Sequence, residues 1–453
     1  MTDASTDTPT NTSTDASIGA TWPTADTGAP ALAARARHAP VMLAPLGYRD
    51  YRLLFIGQLI SSIGNTFYSV ALPWYMLTQG GGPINLGLVL TAYGVPLGVT
   101  TLLGGWLSDK LRARRVMLIA DLACAVVTGG LAWATFGAHA PLWLIGALAA
   151  AMGAFEGLFA PASQAIAPDL LPESQLQAAN GLFYAMMRLA QLLGPSVAGF
   201  VVARATASDG FAIDAATFVA SVMTLILIRN GAFAPASHAG DQGAVPTADV
   251  ATSADTPPAH NSLWRFALAT PFFLILLLVI LVGNLFNGAV MEVAIPALAQ
   301  GPLHAGAQGY GFILTGWGAG ALLGALLASA LGSRINRGYQ SILFFTAQIP
   351  FIVGIAFSVN TLMAVGCMGV FGLLNSLGNV SFLTLFQRRL PRNLLGRIMG
   401  VFTFCNFATL PLSVAVGGFA TAHFGASVVI VAGALIQLVA MVIALASRDL
   451  RDL

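Results

Sequence analysis

Residues 87–94 read Gly-Leu-Val-Leu-Thr-Ala-Tyr-Gly, and residues 311–318 read Gly-Phe-Ile-Leu-Thr-Gly-Trp-Gly. The second stretch lies 224 positions after the first (87 to 311). Other matches follow in the same order. Gly64-Asn65-Thr-Phe67 returns as Gly283-Asn284-Leu-Phe286, at an offset of 219. Leu171-Pro172 returns as Leu390-Pro391, and Gly181 as Gly400, again at 219. A five-residue difference near one connection reconciles the two offsets. The chain is therefore a tandem repeat of two units. Each stretch lies in an apolar run, so the repeated unit is a set of membrane helices.

Composition agrees. Of 453 residues, 57% are hydrophobic and only 8% are charged, against about 25% charged in an ordinary soluble protein. So few charges cannot cover the surface of a soluble chain this long, and lipid must replace water over most of it. A net charge of +2 gives no reason to expect nucleic acid as a partner. Cys124, Cys367 and Cys405 are isolated in apolar runs, with neither metal-ligand nor disulfide spacing. No metal and no cofactor are expected.

The apolar runs predict six helices at 52–78, 85–108, 115–137, 141–163, 178–203 and 211–228, helices 1 to 6. Six more are predicted at 270–299, 308–331, 340–358, 361–387, 396–421 and 425–446, helices 7 to 12. Each is long enough to cross a hydrocarbon core, which takes about 20 helical residues. The fold class expected is all-α integral membrane, with twelve spans in two pseudo-symmetric bundles of six. Residues 1–45 read as a disordered tail, 46–230 as the first bundle, 231–264 as a flexible linker rich in Pro, Ala, Gly and Asp, and 265–453 as the second bundle.

Basic residues set the orientation. Arg35, Arg37, Arg49 and Arg52 precede helix 1; Lys110, Arg112, Arg114 and Arg115 lie between helices 2 and 3; Arg388, Arg389, Arg392 and Arg397 follow helix 10. With Arg229, Arg265, Arg334, Arg337, Arg448 and Arg451 they all fall on one side, and the opposite loops offer only Arg204. That side is expected to be cytoplasmic, with both termini on it. The scarcity of lysine and wealth of alanine hint at a GC-rich bacterial genome.

After helix 2 stands Gly105-Trp-Leu107-Ser-Asp109-Lys110-Leu-Arg112-Ala-Arg114-Arg115. It resembles the loop motif of the major facilitator superfamily, G-x-L-A-D-R-x-G-R-R. It departs at Arg112, where the family has Gly, and at Ala113, where it has Arg; the tight turn is in question there. In the second half Arg334 and Arg337 remain, but Ser333 stands where Asp109 would repeat. The resemblance implies a gating role for Gly105, Asp109, Lys110, Arg114 and Arg115, with the Asp109 carboxylate near Arg397 at the start of helix 11. A second stretch, Phe159-Ala-Pro161-Ala162-Ser-Gln-Ala165-Ile-Ala-Pro168-Asp169-Leu170-Leu-Pro172 with Ala179-Asn180, is similar to the bacterial export branch that holds macrolide and enterobactin exporters. Gly194-Pro195 and Gly199 resemble that superfamily's antiporter motif, with Ala190 and Ala198 in place of two of its glycines. Pro195 removes a backbone hydrogen bond, and Gly194 and Gly199 let a neighbouring helix approach; an ordinary kink needs the same residues.

Ionisable residues within a bilayer are costly and point to function. Glu156 in helix 4 and Arg188 in helix 5 fall at similar mid-membrane depth and are expected to pair. The twin of Glu156 is Asn375 (156 to 375, an offset of 219), with Asn379 one turn on. Glu292 is either an outer-gate residue or a carboxylate reaching for the outer interface. Asp121 sits close to the cytoplasmic side, where it is expected to pair with loop arginines, and Asp214 reads as the cap of helix 6. Asn65 and Asn284, in twin positions, either line a central cavity or join helices. The aromatics Phe67, Tyr68, Phe286, Trp317 and Phe404 either line an apolar pocket or only pack.

The function expected is secondary active export of a small amphipathic molecule by proton antiport. Glu156 is the first candidate for the coupling carboxylate, and Asp121 and Glu292 come next. The partners are a small-molecule substrate, protons and membrane lipid, in a monomer in the bacterial cytoplasmic membrane. An importer on the same fold is the alternative, and a non-transporting sensor is a third reading. An enzyme is not expected: there is no nucleotide loop, and His38, His139, His238, His260, His304 and His423 lie in tails, linker or loops.

Overall fold

Long apolar runs punctuated by proline and glycine become helices here because a bilayer leaves backbone groups no other partner. The computed structural model describes residues 41–137, 140–229, 281–331, 337–389 and 409–446. After a short 3-10 helix, Val41–Gly47, come α1 (Arg49–Thr78), α2 (Pro83–Leu111), α3 (Ala113–Thr135), α4 (Leu142–Ala165), α5 (Glu173–Arg204) and α6 (Ala207–Leu227). The second half holds α7 (Leu281–Gln300), α8 (Gly306–Leu331), α9 in two pieces (Arg337–Ala347 and Ile349–Ala356), α10 (Thr361–Arg389), α11 (Thr409–Phe424) and α12 (Ala426–Ala446). Among the described residues, eleven helices are long and apolar enough to span, and α11 is a shorter apolar helix. Large apolar side chains such as Leu102, Val126, Ile226, Leu326 and Val439 are exposed on the outside, where lipid is their solvent.

The helix starts follow local chemistry. Pro83 fits the first turn of α2, where its missing N–H leaves no bond unmade. Thr206 and Asp209 form a capping box that starts α6 at Ala207. That corrects the reading of Asp214 as a cap: it lies two turns inside α6 and is fully buried. Between α2 and α3 the tight turn forms although Arg112 replaces glycine. Arg112 adopts φ 65° and ψ 131°, a conformation that strains any residue with a Cβ.

Glycines bring the two halves together. A methyl group at Gly87 on α2 would lie 3.1 Å from the Cα of Gly418 on α11. A methyl group at Gly199 on α5 would lie 3.0 Å from the Cα of Gly311 on α8. These contacts are twins, since 87 maps to 311 and 199 to 418 by the two sequence offsets. The Thr91 hydroxyl donates to the Pro411 carbonyl at 3.0 Å beside the first of them. Among the described residues these approaches lie at the end that carries the α1–α2 and α7–α8 turns. Toward the opposite end, Tyr184 and Arg188 on α5 and Asn379 on α10 are exposed. Among the described residues, the halves meet at the first of these ends.

One helix carries an irregularity with a visible cause. Residues Asn287–Ala294 of α7 are a π-helix. The buried Ser413 hydroxyl of α11 donates to the Leu285 carbonyl and accepts from the Ala289 N–H at 2.9 Å. Those two backbone groups would bond each other in an α-helix. An inserted side chain is a recognised cause of such a widened turn.

Two outcomes are expected. Replacing Gly199 or Gly418 by Leu should force the halves apart at the closed end. Spin labels on the α1–α2 and α7–α8 turns should then separate by at least roughly 2 Å, the spread of helix-axis distances that side-chain size sets; unchanged distances would refute the contact. Arg112→Gly should relieve the strained turn and raise the unfolding free energy by about 1 kcal/mol, measured by denaturation in detergent.

Candidate functional site: a carboxyl in one half, amides in the other

Glycine also decides where the central carboxyl sits. On α4, methyl groups at Gly153 and Gly157 would press on the backbone of α2, 2.9 Å from the Tyr93 carbonyl carbon and 2.6 Å from the Leu97 carbonyl oxygen. The two backbones therefore touch, and the next side chain, half-buried Glu156, accepts a hydrogen bond from the Tyr93 hydroxyl. Tyr93 also stacks at 6.0 Å on Tyr68 of α1, which meets Phe211 of α6 at 6.1 Å. Glu156 lies within electrostatic reach of Asp214 and Tyr68. Both Asp214 oxygens, the Tyr68 hydroxyl and Asn65 Oδ1 are buried without a hydrogen-bond partner among the described residues.

The expected Glu156–Arg188 pair is not formed. Arg188 is exposed on α5 and donates to Gln191 Oε1 one turn along at 2.9 Å. Similar depth on neighbouring helices did not put the two side chains on facing sides; Arg188 is exposed beside Gln191 while Glu156 is held by Tyr93. Asp121 is also spoken for without an arginine: it is buried and accepts from Ser221 of α6 at 2.6 Å. Glu292 lies in the π segment of α7, half-buried and within electrostatic reach of Tyr93 and Tyr310.

The second half repeats the construction with different chemistry. A methyl group at Gly372 on α10 would lie 3.1 Å from the Trp317 carbonyl carbon. Gly372 is the twin of Gly153 and Trp317 the twin of Tyr93. Asn375 then stands where the first half has Glu156. Trp317 and Asn375 line a cavity of about 300 Å³ shared by α7, α8, α9, α10 and α12. Its walls also carry Asn284, Asn287, Gln348, Asn379 and Gln437. Asn379 donates to the carbonyl and to Oδ1 of Asn375, both at 2.9 Å. Gln348 sits where Pro350 interrupts α9 and is fully buried. Among the described residues, no ionisable side chain lines this cavity. Cavities of this size take small molecules when a few polar groups converge on an apolar wall.

At the other end of α2, Lys110 and Arg115 are exposed. Arg114 donates through Nε to the Leu225 carbonyl at 2.9 Å and through Nη2 to the Ile226 carbonyl at 3.0 Å. It thus caps the C-terminus of α6, where carbonyls lack helical partners. Gly105 and Asp109 fall within α2, but the side chain of Asp109 lies outside the described residues, as does Arg397. In α5, Gly194 and Pro195 are buried, and a methyl group at Gly194 would lie 2.8 Å from Thr66 Cβ of α1. Sequence reasoning missed Tyr93, Gln348 and Gln437. Tyr93 sat in the repeated stretch, and each glutamine is a lone amide in an apolar run.

Two repeated helical bundles that meet at one end, with polar groups held between and within them, define a polytopic membrane transporter. The chain matches the family model of the Major Facilitator Superfamily over residues 54–413 and belongs to that family. The multidrug efflux pump Tap of Mycolicibacterium fortuitum is 27% identical over 390 residues, 81% of this chain and 88% of that one. The enterobactin exporter EntS of Escherichia coli O1:K1 is 24% identical over 355 residues, 78% of this chain and 80% of that one. The crystal structure of the nucleoside transporter NupG superposes with a TM-score of 0.67, covering 88% of this chain and 98% of NupG at 14% identity, a likeness of fold. The protein is a membrane transporter and not an enzyme.

Two adjacent tyrosines give a contrasting expectation. Tyr93→Phe removes the hydroxyl bonded to Glu156 and should lower the unfolding free energy by about 1–3 kcal/mol. Tyr68→Phe removes a hydroxyl that has no partner and should leave stability unchanged or slightly raised. Equal losses in a parallel denaturation series would contradict the hydrogen-bond assignment.

Proposed function

We propose that the protein exports a small amphipathic molecule across the bacterial cytoplasmic membrane in exchange for protons, by alternating access. The observation that carries this is the Glu156 carboxyl, set in mid-span and bonded to Tyr93 in one half, opposite uncharged amides in the other. A carboxyl in a bilayer is costly when charged, about 2.5–3.5 kcal/mol at the centre of a span on insertion scales. It is therefore suited to carry a proton through the membrane and give it up where water enters. The names of Tap and EntS, both exporters, support the outward direction.

The cycle uses the chain's own groups. With both termini cytoplasmic, as the arginine pattern expects, the end opposite the glycine contacts faces the cytoplasm and opens to it. In that state Glu156 releases its proton inward and substrate enters. The glycine contacts at the closed end then part as the other end closes. Outside, Glu156 takes a proton, substrate leaves, and the protein returns. Arg188, exposed on α5 beside Gln191, places positive charge on the pathway. Asn65 and Asn284 face this pathway from twin positions, with Glu292 toward its closed end. Asp109, Lys110, Arg115 and Arg397 close the cytoplasmic end. The segments 1–45 and 231–264 are cytoplasmic tail and linker, and the monomer suffices.

Glu156→Gln should abolish export driven by an imposed pH gradient while leaving substrate binding measurable. Transport into inside-out vesicles, with a panel of siderophores, macrolides and dyes, is the measurement. Wild-type rates in that variant would move the proton site to Asp121, Asp214 or Glu292; accumulation in the opposite direction would favour import.

A further inference from the structure

We propose that the polar end of the transported molecule docks in the amide-lined cavity inside the second half, and that this end is uncharged, aromatic and rich in hydrogen-bonding oxygen or nitrogen. The inference rests on the transport reading above and adds the substrate class and the residues that select it.

The first observation is unmet hydrogen-bonding capacity. Gln348 on α9 is fully buried, and neither its Oε1 nor its Nε2 has a partner among the described residues. Gln437 on α12 is 6% exposed, and its Oε1 has none. Asn284 Nδ2 on α7 is in the same position. All three residues line one cavity. A buried amide left unpaired destabilises a fold, so native chains rarely keep one without a partner from water or ligand. Three such residues border one space of about 300 Å³, which marks it as a place where a partner from beyond the described residues is wanted.

The second observation is the chemistry of the wall. An amide offers a donor and an acceptor, so it serves a carbonyl, a hydroxyl or an amine equally well. It carries no charge with which to neutralise an ion, and no ionisable group lines the space among the described residues. The remaining wall includes Phe286, Trp317, Phe345 and Phe371, which favour a flat aromatic body through stacked or edge contacts. The repeat sharpens the point. The twin positions that hold Tyr93 and Glu156 in the first half hold Trp317 and Asn375 here. The acid has been exchanged for an amide and the phenol for an indole, so the two halves divide the work: one carries the proton and the other reads the substrate.

The test is equilibrium binding, without any gradient, to purified protein in nanodiscs. The probe is 7-amino-4-methylcoumarin, a neutral aromatic with a carbonyl and an amine, with ethidium as cation and 1-naphthalenesulfonate as anion. Gln348→Leu and Gln437→Leu should each weaken coumarin binding about fivefold, the worth of one net hydrogen bond. Gly283→Phe serves as the second variant. A methyl group at Gly283 meets open space within 4 Å, so the fold accepts a side chain there, and the ring should fill the cavity and remove binding. Coumarin binding at wild-type affinity in Gly283→Phe, or none in the wild type, would overturn the site. Ethidium or the sulfonate weakened by Gln348→Leu as much as the coumarin would overturn the substrate class. Because binding is read without a proton gradient, loss of pH-driven export in some other variant leaves this result untouched. Normal coumarin selectivity in a protein that shows no proton coupling would sink the transport reading alone.

Discussion

Backbone-to-backbone contact through glycine is the constraint on which the rest of this structure depends. Lipid tails are as apolar as leucine, so burying apolar side chains gives membrane helices little reason to associate. Close packing and the polar bonds that it permits must do so. Gly153 and Gly157 lay α4 directly on α2, and Gly372 does the same for α10 on α8. Gly87 with Gly418, and Gly199 with Gly311, join the halves. Two of these contacts bring a specific polar group to its partner: Glu156 to Tyr93 and Thr91 to Pro411.

This use of glycine explains why the two halves share a scaffold and differ in chemistry. The contacts at Gly153 and Gly372, and those of Gly87 and Gly418 with Gly311 and Gly199, are symmetric under the repeat, because they set helix spacing and both bundles need the same spacing. The side chains beside them are free to diverge. In the first half the carboxyls of Glu156, Asp214 and Asp121 are set among tyrosine, serine and asparagine. In the second the corresponding space is lined by amides and aromatic rings. A moving proton and a bound molecule make opposite demands on a site. The first needs a group that changes charge, and the second needs one that does not.

Two stretches of irregular backbone border the cavity of the second half. The π stretch of α7 holds Glu292 and borders the cavity at Asn287 and Met291. It is stitched open by a hydroxyl from α11. The break in α9 at Pro350 coincides with the fully buried Gln348. Both departures leave backbone groups to be satisfied by something other than the regular helical ladder, which the interior of a bundle can supply and lipid cannot.

The sequence by itself determined the spans, the repeat and the family, because each is written in local patterns: apolar length, spaced glycines and the loop after α2. It also marked Glu156 and the asparagines as out of place in a membrane. It did not determine their partners. Glu156 and Arg188 share a depth, but a depth is one coordinate, and the rotation of each helix about its own axis fixes where a side chain points. That rotation is set by packing with several neighbours at once. The tertiary structure therefore decided that Glu156 meets Tyr93, that Asp214 is buried rather than capping, and that Arg114 closes the end of α6. It also decided that Gln348 and Gln437, 89 positions apart (348 to 437), share one cavity. No local pattern records that meeting, because it arises only when helices distant in sequence pack around a common space.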